Sequence, residues 1–276
     1  MVVKSLTSRP GKDSCVSKRH KDTVRKQFAE TVEAFSKFAV RDTTEILAEQ
    51  VEFAKPQAAD VALDVACGPG KFVLAFAPRV RFARGIDLTP EMLRQAREFQ
   101  RELGIGNAFF DCGDADQLPY PSASFDLVTC QYAFHHMQKP AGALGEMVRV
   151  LKPEGRIVLI DSLAPESDSK YELHNRIELL RDPSHAETLR LTSFLGLFED
   201  WGLEVARQAV RRRPRSFRQW MLRAGIQPSD PRYGEARSLI ANSAKGDAAG
   251  FSPQPNGDDL TITHNEAQFL LSKKEM

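Results

Sequence analysis

Cysteine is scarce, and none of it is paired. Cys15, Cys67, Cys112 and Cys130 are spread over 276 residues with no Cys-x-x-Cys, so neither a structural zinc site nor any other metal site is expected. A thiol site for a soft element such as arsenic needs clustered cysteines and is excluded on the same ground. Three of the four fall at strand ends and read as small buried apolar residues kept as thiols. Lone thiols suit a reducing cytoplasm, which is the expected location. An excess of one charge is also lacking. Lys+Arg 38 against Asp+Glu 37 leaves +1, without the basic surplus of a dedicated nucleic-acid binder. No apolar run approaches a membrane span, so stable membrane insertion is not expected. Met1–Lys26 is basic but lacks the continuous apolar stretch of a secretory signal, and its aspartates disfavour a transit peptide.

What is present is one sizeable domain, with 42% hydrophobic residues to fill a core and an ordinary 27% charged. It is organised around Val61-Ala62-Leu63-Asp64-Val65-Ala66-Cys67-Gly68-Pro69-Gly70. The apolar run suits a strand buried on both faces of a parallel sheet. The glycine turn leads into Lys71–Ala77, whose Phe72, Val73 and Phe76 fit one helix face. Strand, glycine turn and helix open a nucleotide-binding α/β domain. Gly68 and Gly70 can take backbone angles closed to other residues and let a ligand approach the main chain. The turn is not a P-loop, because no Gly-Lys-Ser/Thr follows it, and it lacks the third glycine of a dinucleotide fingerprint.

About twenty residues after Asp64, Arg84-Gly85-Ile86-Asp87 places an acid at the end of a second apolar strand, where a Rossmann-like fold grips a ribose. Asp111-Cys112-Gly113-Asp114-Ala115, Ser124-Phe125-Asp126-Leu127-Val128 and Arg149-Val150-Leu151-Lys152-Pro153-Glu154-Gly155 follow. In this order and spacing the set resembles the class I S-adenosylmethionine (SAM) dependent methyltransferases. The branch it is most similar to includes the ubiquinone/menaquinone-biosynthesis C-methyltransferases and their small-molecule relatives. The likeness is strong over 60–161 and weaker at Gln27–Val40 and Arg181–Leu203.

The resemblance implies an α/β fold: a Rossmann-like, mostly parallel seven-stranded sheet with helices on both faces, N-terminal lid helices and a helical insertion after strand five. Residues 1–18 read as a disordered basic tail, 19–55 as lid helices, 56–161 as the SAM-binding core, and 162–276 as a substrate cap with the C-terminal strands of the same domain. In the lid, Phe35 stands where relatives often carry Tyr and can supply only a wall. Strands are expected at Val80–Ile86, Asn107–Cys112, Phe125–Cys130, Arg156–Asp161, Leu203–Val210 and within Leu260–Leu271, the last antiparallel, and Asp247–Asp258 is expected to be a loop. Asp126 resembles the family's structural aspartate. Arg211–Arg223 carries six arginines and no acid, and reads as a solvated face ahead of an anion- or membrane-attracting one.

For the cofactor, the resemblance implies Asp64 ordering the loop or meeting the ammonium, and main-chain groups of Ala66, Gly68 and Gly70 at the amino-acid end. It places Asp87 at the ribose, Asp114 and Ala115 at the adenine and Gln131 under the amino-acid end, with Leu88 among the cofactor contacts; Met92, one turn into its helix, either packs on the purine or belongs to the core. S-adenosylhomocysteine is the product. The methyl group is activated by the cofactor's own sulfur, so the protein's task is to align an acceptor and exclude water. A base is needed only for an acceptor that holds a proton. His136 and His135, on the loop after strand four, are the candidates, with His174 and His185 behind them if their segments fold over the pocket. Asp161 either orients a substrate hydroxyl or ends its strand. The expected reaction is methyl transfer by in-line displacement to an oxygen or activated carbon of a small molecule.

The alternatives are an NAD(P)-dependent oxidoreductase of the same fold and a non-catalytic SAM-binding interaction protein. Nucleic-acid amino-methylation is disfavoured, because Gln131-Tyr132-Ala133-Phe134 stands where Asn/Asp-Pro-Pro-Tyr/Phe would be. Protein methylation stays open, and so does a homodimer.

Overall fold

A computed structural model describes residues 13–38, 44–242 and 247–274. Residues 1–12 of the expected tail, and the side chains of Cys15, Phe35 and Phe38, lie outside what is described. Helix α1 (Asp13–Phe38) begins at Asp13 rather than at residue 19, and α2 (Thr44–Ala54) follows it.

Strand β1 (Val61–Val65) pairs in parallel with β2 (Phe82–Asp87) on one side and β4 (Phe125–Gln131) on the other. β3 (Ala108–Cys112) adds to β2, and β5 (Leu151–Leu163) adds to β4, both in parallel. The crossovers are α3 (Lys71–Phe76), α4 (Pro90–Glu102) and α5 (Pro140–Val150). After β3 the chain returns across β1 to lay down β4. The strand order therefore reverses between β1 and β4, and ligands of open α/β sheets bind at such a point. Each crossover helix has one apolar face. In α5 it is Ala143, Leu144, Met147 and Val150, all without exposure. One core layer joins α5 to the sheet through Leu63, Val128 and Phe134. The opposite layer holds Phe53, Phe72, Phe76 and Leu93 from α2, α3 and α4. With both faces covered, a strand such as Val-Ala-Leu-Asp-Val needs no polar alternation.

The second half departs from expectation in three places. β5 starts at Leu151 rather than Arg156, because Leu151 already pairs with Phe125 and residues 152–155 bulge before pairing resumes at Arg156. Following α6 (Asp168–Arg181) and α7 (Leu191–Asp200), strand β6 (Leu203–Ser216) runs on through the arginines instead of stopping at Val210. Its antiparallel partner β8 (Asp259–Lys273) is long enough to pair it to Ser216. β6 lies at the sheet edge, which tolerates Pro214. The 247–258 segment contains a short strand, β7 (Gln254–Asn256), that folds back on β8, so the sheet has eight strands instead of seven. Helices α8 (Phe217–Arg223) and α9 (Pro231–Asn242) build a third apolar cluster with α6 around Phe217, Trp220, Tyr233 and Phe251. Among the described residues no helix is long and apolar enough to cross a membrane.

Candidate active site

A cavity of about 430 Å³ opens where β1 and β4 end, roofed by α1 and α2 and closed at its far side by α6, β6 and α8. Its floor is the glycine turn. Ala66 (φ +57°) and Gly68 (φ +51°) carry left-handed backbone. Gly68 lines the cavity, and a Cβ on it would meet no atom within 4 Å. The turn is tied to β2 by Asp87, whose Oδ2 accepts from the amide of Gly68 and whose Oδ1 accepts from that of Thr89, both at 2.8 Å. Burial pushes the Asp87 carboxyl above its ordinary range, and these backbone donors oppose the rise.

Of the expected cofactor residues, Ala66, Gly68, Asp87, Leu88, Met92, Asp114, Ala115 and Gln131 line this cavity. Asp64 and Gly70 do not. Asp64 is enclosed beneath the turn, where the Thr129 hydroxyl donates to Oδ1 at 2.5 Å. Burial, with the nearby charge of Asp87, pushes its carboxyl up to about 7. Gly70 (φ +73°) is a packing glycine: a Cβ there would sit 2.7 Å from the ring of Phe110 and 2.8 Å from Ala96. Asp126 has the structural part expected of it, accepting from the Val61 amide at 2.9 Å and from Lys152 at 2.8 Å.

The two histidines after β4 have different surroundings. His135 Nδ1 lies 2.6 Å from Oδ1 of Asp161 on β5, and Asp161 is itself oriented by the amide of Ser162. Nδ1–H therefore donates to the carboxylate, and Nε2 keeps its lone pair, with no hydrogen-bond partner among the described residues. Burial alone would lower the His135 pKa. The Asp161 charge and its hydrogen bond more than reverse this and hold it above the ordinary value. His136 instead gives Nδ1–H to the carbonyl and hydroxyl of Ser184, at 3.1 and 3.2 Å, and packs edge-on against Phe28. Burial and the neighbouring His135 pull its pKa far below the ordinary histidine range. The segment Arg181-Asp182-Pro183-Ser184-His185 seats this loop: amides of Ala186 and Glu187 donate to the His135 carbonyl, and Asp182 anchors Ser184. His174 and His185 are outside the cavity lining, bonded to the Ala249 carbonyl and to Asn175.

At the cavity edge, Lys21 of α1 reaches Asp114 at 2.7 Å and Asp116 at 2.6 Å, while His20 donates to the His136 carbonyl. At the other wall, Gln131 donates to Gln50 at 2.6 Å, and Gln50 donates to Glu266. The Tyr132 hydroxyl also donates to Glu266, which is neutralised by Arg213 at 2.9 Å. This network fastens α2 to the ends of β4, β6 and β8. Lys21, Gln50 and Glu266 gave no signal in the sequence, because each meets the site only through contacts distant along the chain.

The methyltransferase-domain family matches residues 63–159. A relative from Bacillus subtilis (strain 168), the uncharacterized methyltransferase YcgJ, is 35% identical over 205 residues, covering 74% of this chain and 80% of its own length. The chain belongs to the class I SAM-dependent methyltransferases. The crystal structure of the B. subtilis YcgJ protein superposes with a TM-score of 0.77 at 29% identity, over 84% of this chain and 99% of that one. The demethylmenaquinone methyltransferase of Deinococcus radiodurans is 44% identical over 110 residues, which is 38% of this chain and 44% of that protein. A methyltransferase of Thiobacillus denitrificans solved with S-adenosyl-L-homocysteine shares the fold, with a TM-score of 0.55 at 18% identity, 87% of this chain and 96% of that one.

SAM is thus the methyltransferase's cofactor, and the residues present suit it. A side-chain-free turn at Gly68 admits the amino-acid end, a carboxylate at Asp87 suits ribose hydroxyls, and Met92, Leu88 and Ala115 line an apolar slot for a base. Burial pushes the Cys67 and Cys130 thiols well above their ordinary range. Cys112 departs from the expected burial and is exposed.

Proposed function

We propose that the methyltransferase transfers the methyl group to an oxygen, or to a carbon activated by a neighbouring hydroxyl, of a small organic molecule, with His135 as general base. SAM supplies an electrophilic methyl group on a positively charged sulfur. The chain's own residues bind the cofactor, exclude water and take up the acceptor's proton. The turn amides with Gln131 receive the amino-acid end, and Asp87 takes the ribose hydroxyls. Met92, Leu88, Asp114 and Ala115 hold the adenine. Helices α1 and α2 exclude water from above. His135 Nε2 takes the acceptor's proton, and Asp161 stabilises the imidazolium that results.

The observation that carries the assignment of the base is the His135–Asp161 pair at the cavity wall. His136 is assigned a loop-positioning role, since its Nδ1–H meets the neutral oxygens of Ser184 and burial beside His135 pulls its pKa down, so it is a weaker base than His135. The test begins with calorimetry of S-adenosylhomocysteine, for which micromolar affinity, on the order of −8 kcal/mol, is expected. Methyl transfer from radiolabelled SAM to a panel of phenols, enols and hydroxy acids then reports turnover. No heat at millimolar ligand would defeat the cofactor placement. Turnover in His135→Ala within tenfold of wild type would remove the base.

A further inference from the structure

The arginines of β6 alternate in their surroundings. On a strand, Arg211, Arg213 and Arg215 share one face, while Arg212 and Pro214 point the other way. The inward three meet acids in a descending series. Arg211 pairs with Glu49 at 2.5 Å. Arg213 pairs with Glu49 and with Glu266, each at 2.9 Å. Arg215, one step further into the cavity, stands opposite Ile262 and forms neither a hydrogen bond nor an ion pair among the described residues. The series of cations outruns its carboxylates at the cavity wall.

The surroundings add to this excess. Arg181 and Arg223 line the same end of the cavity, and Lys71 lies across it. Burial and the charge of Arg223 bring Lys71 down to about 8, which marks a region of positive potential. The acids at this end are already engaged: Glu178 by His264 and Arg181, Glu266 by Arg213, and Asp182 by Ser184. Beside the cations the wall is apolar, with Trp220 under the guanidinium of Arg181 and Ile46 and Leu47 from α2. A guanidinium in a partly dry pocket is costly unless it meets a partner, and its planar fork matches an oxyanion. SAM's own carboxylate is expected at the amides of the glycine turn.

We propose that the acceptor carries an oxyanion, a carboxylate or phosphate, on an apolar body, and that Arg215 receives that group while the body lies against Trp220. The proposal rests on the methyltransferase reading of the cavity. It makes Arg215 a specificity residue remote from the reacting atoms, and it turns the 211–223 stretch from a solvated face into a divided one. Arg218 is solvent-exposed beside Asp258, whereas Arg215 is directed inward.

The test is calorimetry on the full chain saturated with S-adenosylhomocysteine, using benzoate, phenyl phosphate, inorganic phosphate and the neutral benzamide as probes. Benzoate or phenyl phosphate should bind saturably and at least tenfold more tightly than benzamide, and the stronger of the two identifies the headgroup. Arg215→Gln should abolish that preference and Arg215→Lys restore part of it, with S-adenosylhomocysteine affinity unchanged in both. Equal binding of benzoate and benzamide, no saturable binding of either aromatic anion, or a preference surviving in Arg215→Gln would overturn the proposal. So would binding of inorganic phosphate alone, since no acceptor body is then recognised. The wild-type comparison stands even if a variant fails to fold. Loss of S-adenosylhomocysteine binding in the wild type would defeat the cofactor placement instead, and is read separately.

Discussion

Nδ1 of His135 lies 2.6 Å from Oδ1 of Asp161, a contact between the loop after β4 and the end of β5. Parallel neighbours in a sheet finish side by side, so residues 26 apart in the chain become partners at the mouth of the cavity. The pair fixes the imidazole's tautomer and leaves Nε2 to accept a proton.

If His135 is the base, His135→Ala should lower turnover by roughly two to four orders of magnitude. The neutral ring is the active form, and its pKa is held above 6.5. The rate should therefore rise with pH through a step above 6.5, and in Asp161→Asn that step should move to lower pH. The same pair stabilises the fold fully below the unfolded histidine pKa, and that contribution is lost as pH rises through the folded one. His136→Ala should cost folding stability, with turnover per folded molecule within about tenfold of wild type. A pH profile lacking the step, or one insensitive to Asp161→Asn, would contradict this assignment.

Asp64 offers a second titration. In the ligand-free protein its carboxyl is pushed up to about 7 from 3.8. The native state keeps a proton that the unfolded chain sheds, so this contribution to stability is present below 3.8 and lost as pH rises toward 7. Asn at this position keeps an oxygen for the Thr129 hydroxyl and does not titrate. Asp64→Asn should leave stability unchanged near the low end of that window and raise it above the high end, with an upper bound of about 4 kcal/mol. Urea melts at both ends of the window check it; a gain independent of pH would count against the shift.

The two glycines of the turn should fail in different ways. Gly68→Val puts a side chain into cofactor space at a positive φ and should abolish S-adenosylhomocysteine binding while helix content stays. Gly70→Val drives a side chain into Phe110 and Ala96 and should destabilise the fold by about 1–3 kcal/mol or more, since overpacking and a left-handed residue both act. Thermal melts beside ligand titrations separate the outcomes. Equal stability loss in both variants would mean the turn is wrongly divided.

Lys21 fastens α1 over Asp114 and Asp116. The pairs are partly exposed, so Lys21→Ala should change global stability by no more than about 1 kcal/mol. Amide exchange across residues 18–32 should quicken, and bound S-adenosylhomocysteine should leave faster. Unchanged exchange in that segment would show that the apolar contacts of α1 hold it without the lysine.

Local order and period were legible in the sequence wherever a short stretch settles its own conformation. The β1 run, the left-handed glycine, the acid ending β2 and the apolar face of α5 are such stretches, and from them came the parallel core and the part of the cavity's lining around the glycine turn and the end of β2. That Asp64 and Gly70 stand outside the cavity lining was not legible, because it depends on what packs around them: Thr129 for one, Phe110 and Ala96 for the other. The length of β6 was misjudged because six arginines look solvated in one dimension, while a long antiparallel partner carries four of them, Arg211, Arg212, Arg213 and Arg215, into a sheet edge.

The sequence by itself determined the fold class, because backbone propensity, apolar period and a glycine turn act over a few neighbouring residues, and the order of its motifs carried the resemblance that implied the cofactor. Only the tertiary structure separates the surroundings of the two histidines. The resemblance pointed first to His136, but a carboxylate on the next strand faces His135, whereas His136 meets a serine carbonyl on a distant loop. The tertiary structure likewise decided which arginines face inward, because charge compensation depends on distances across strands and helices that the chain's order does not encode.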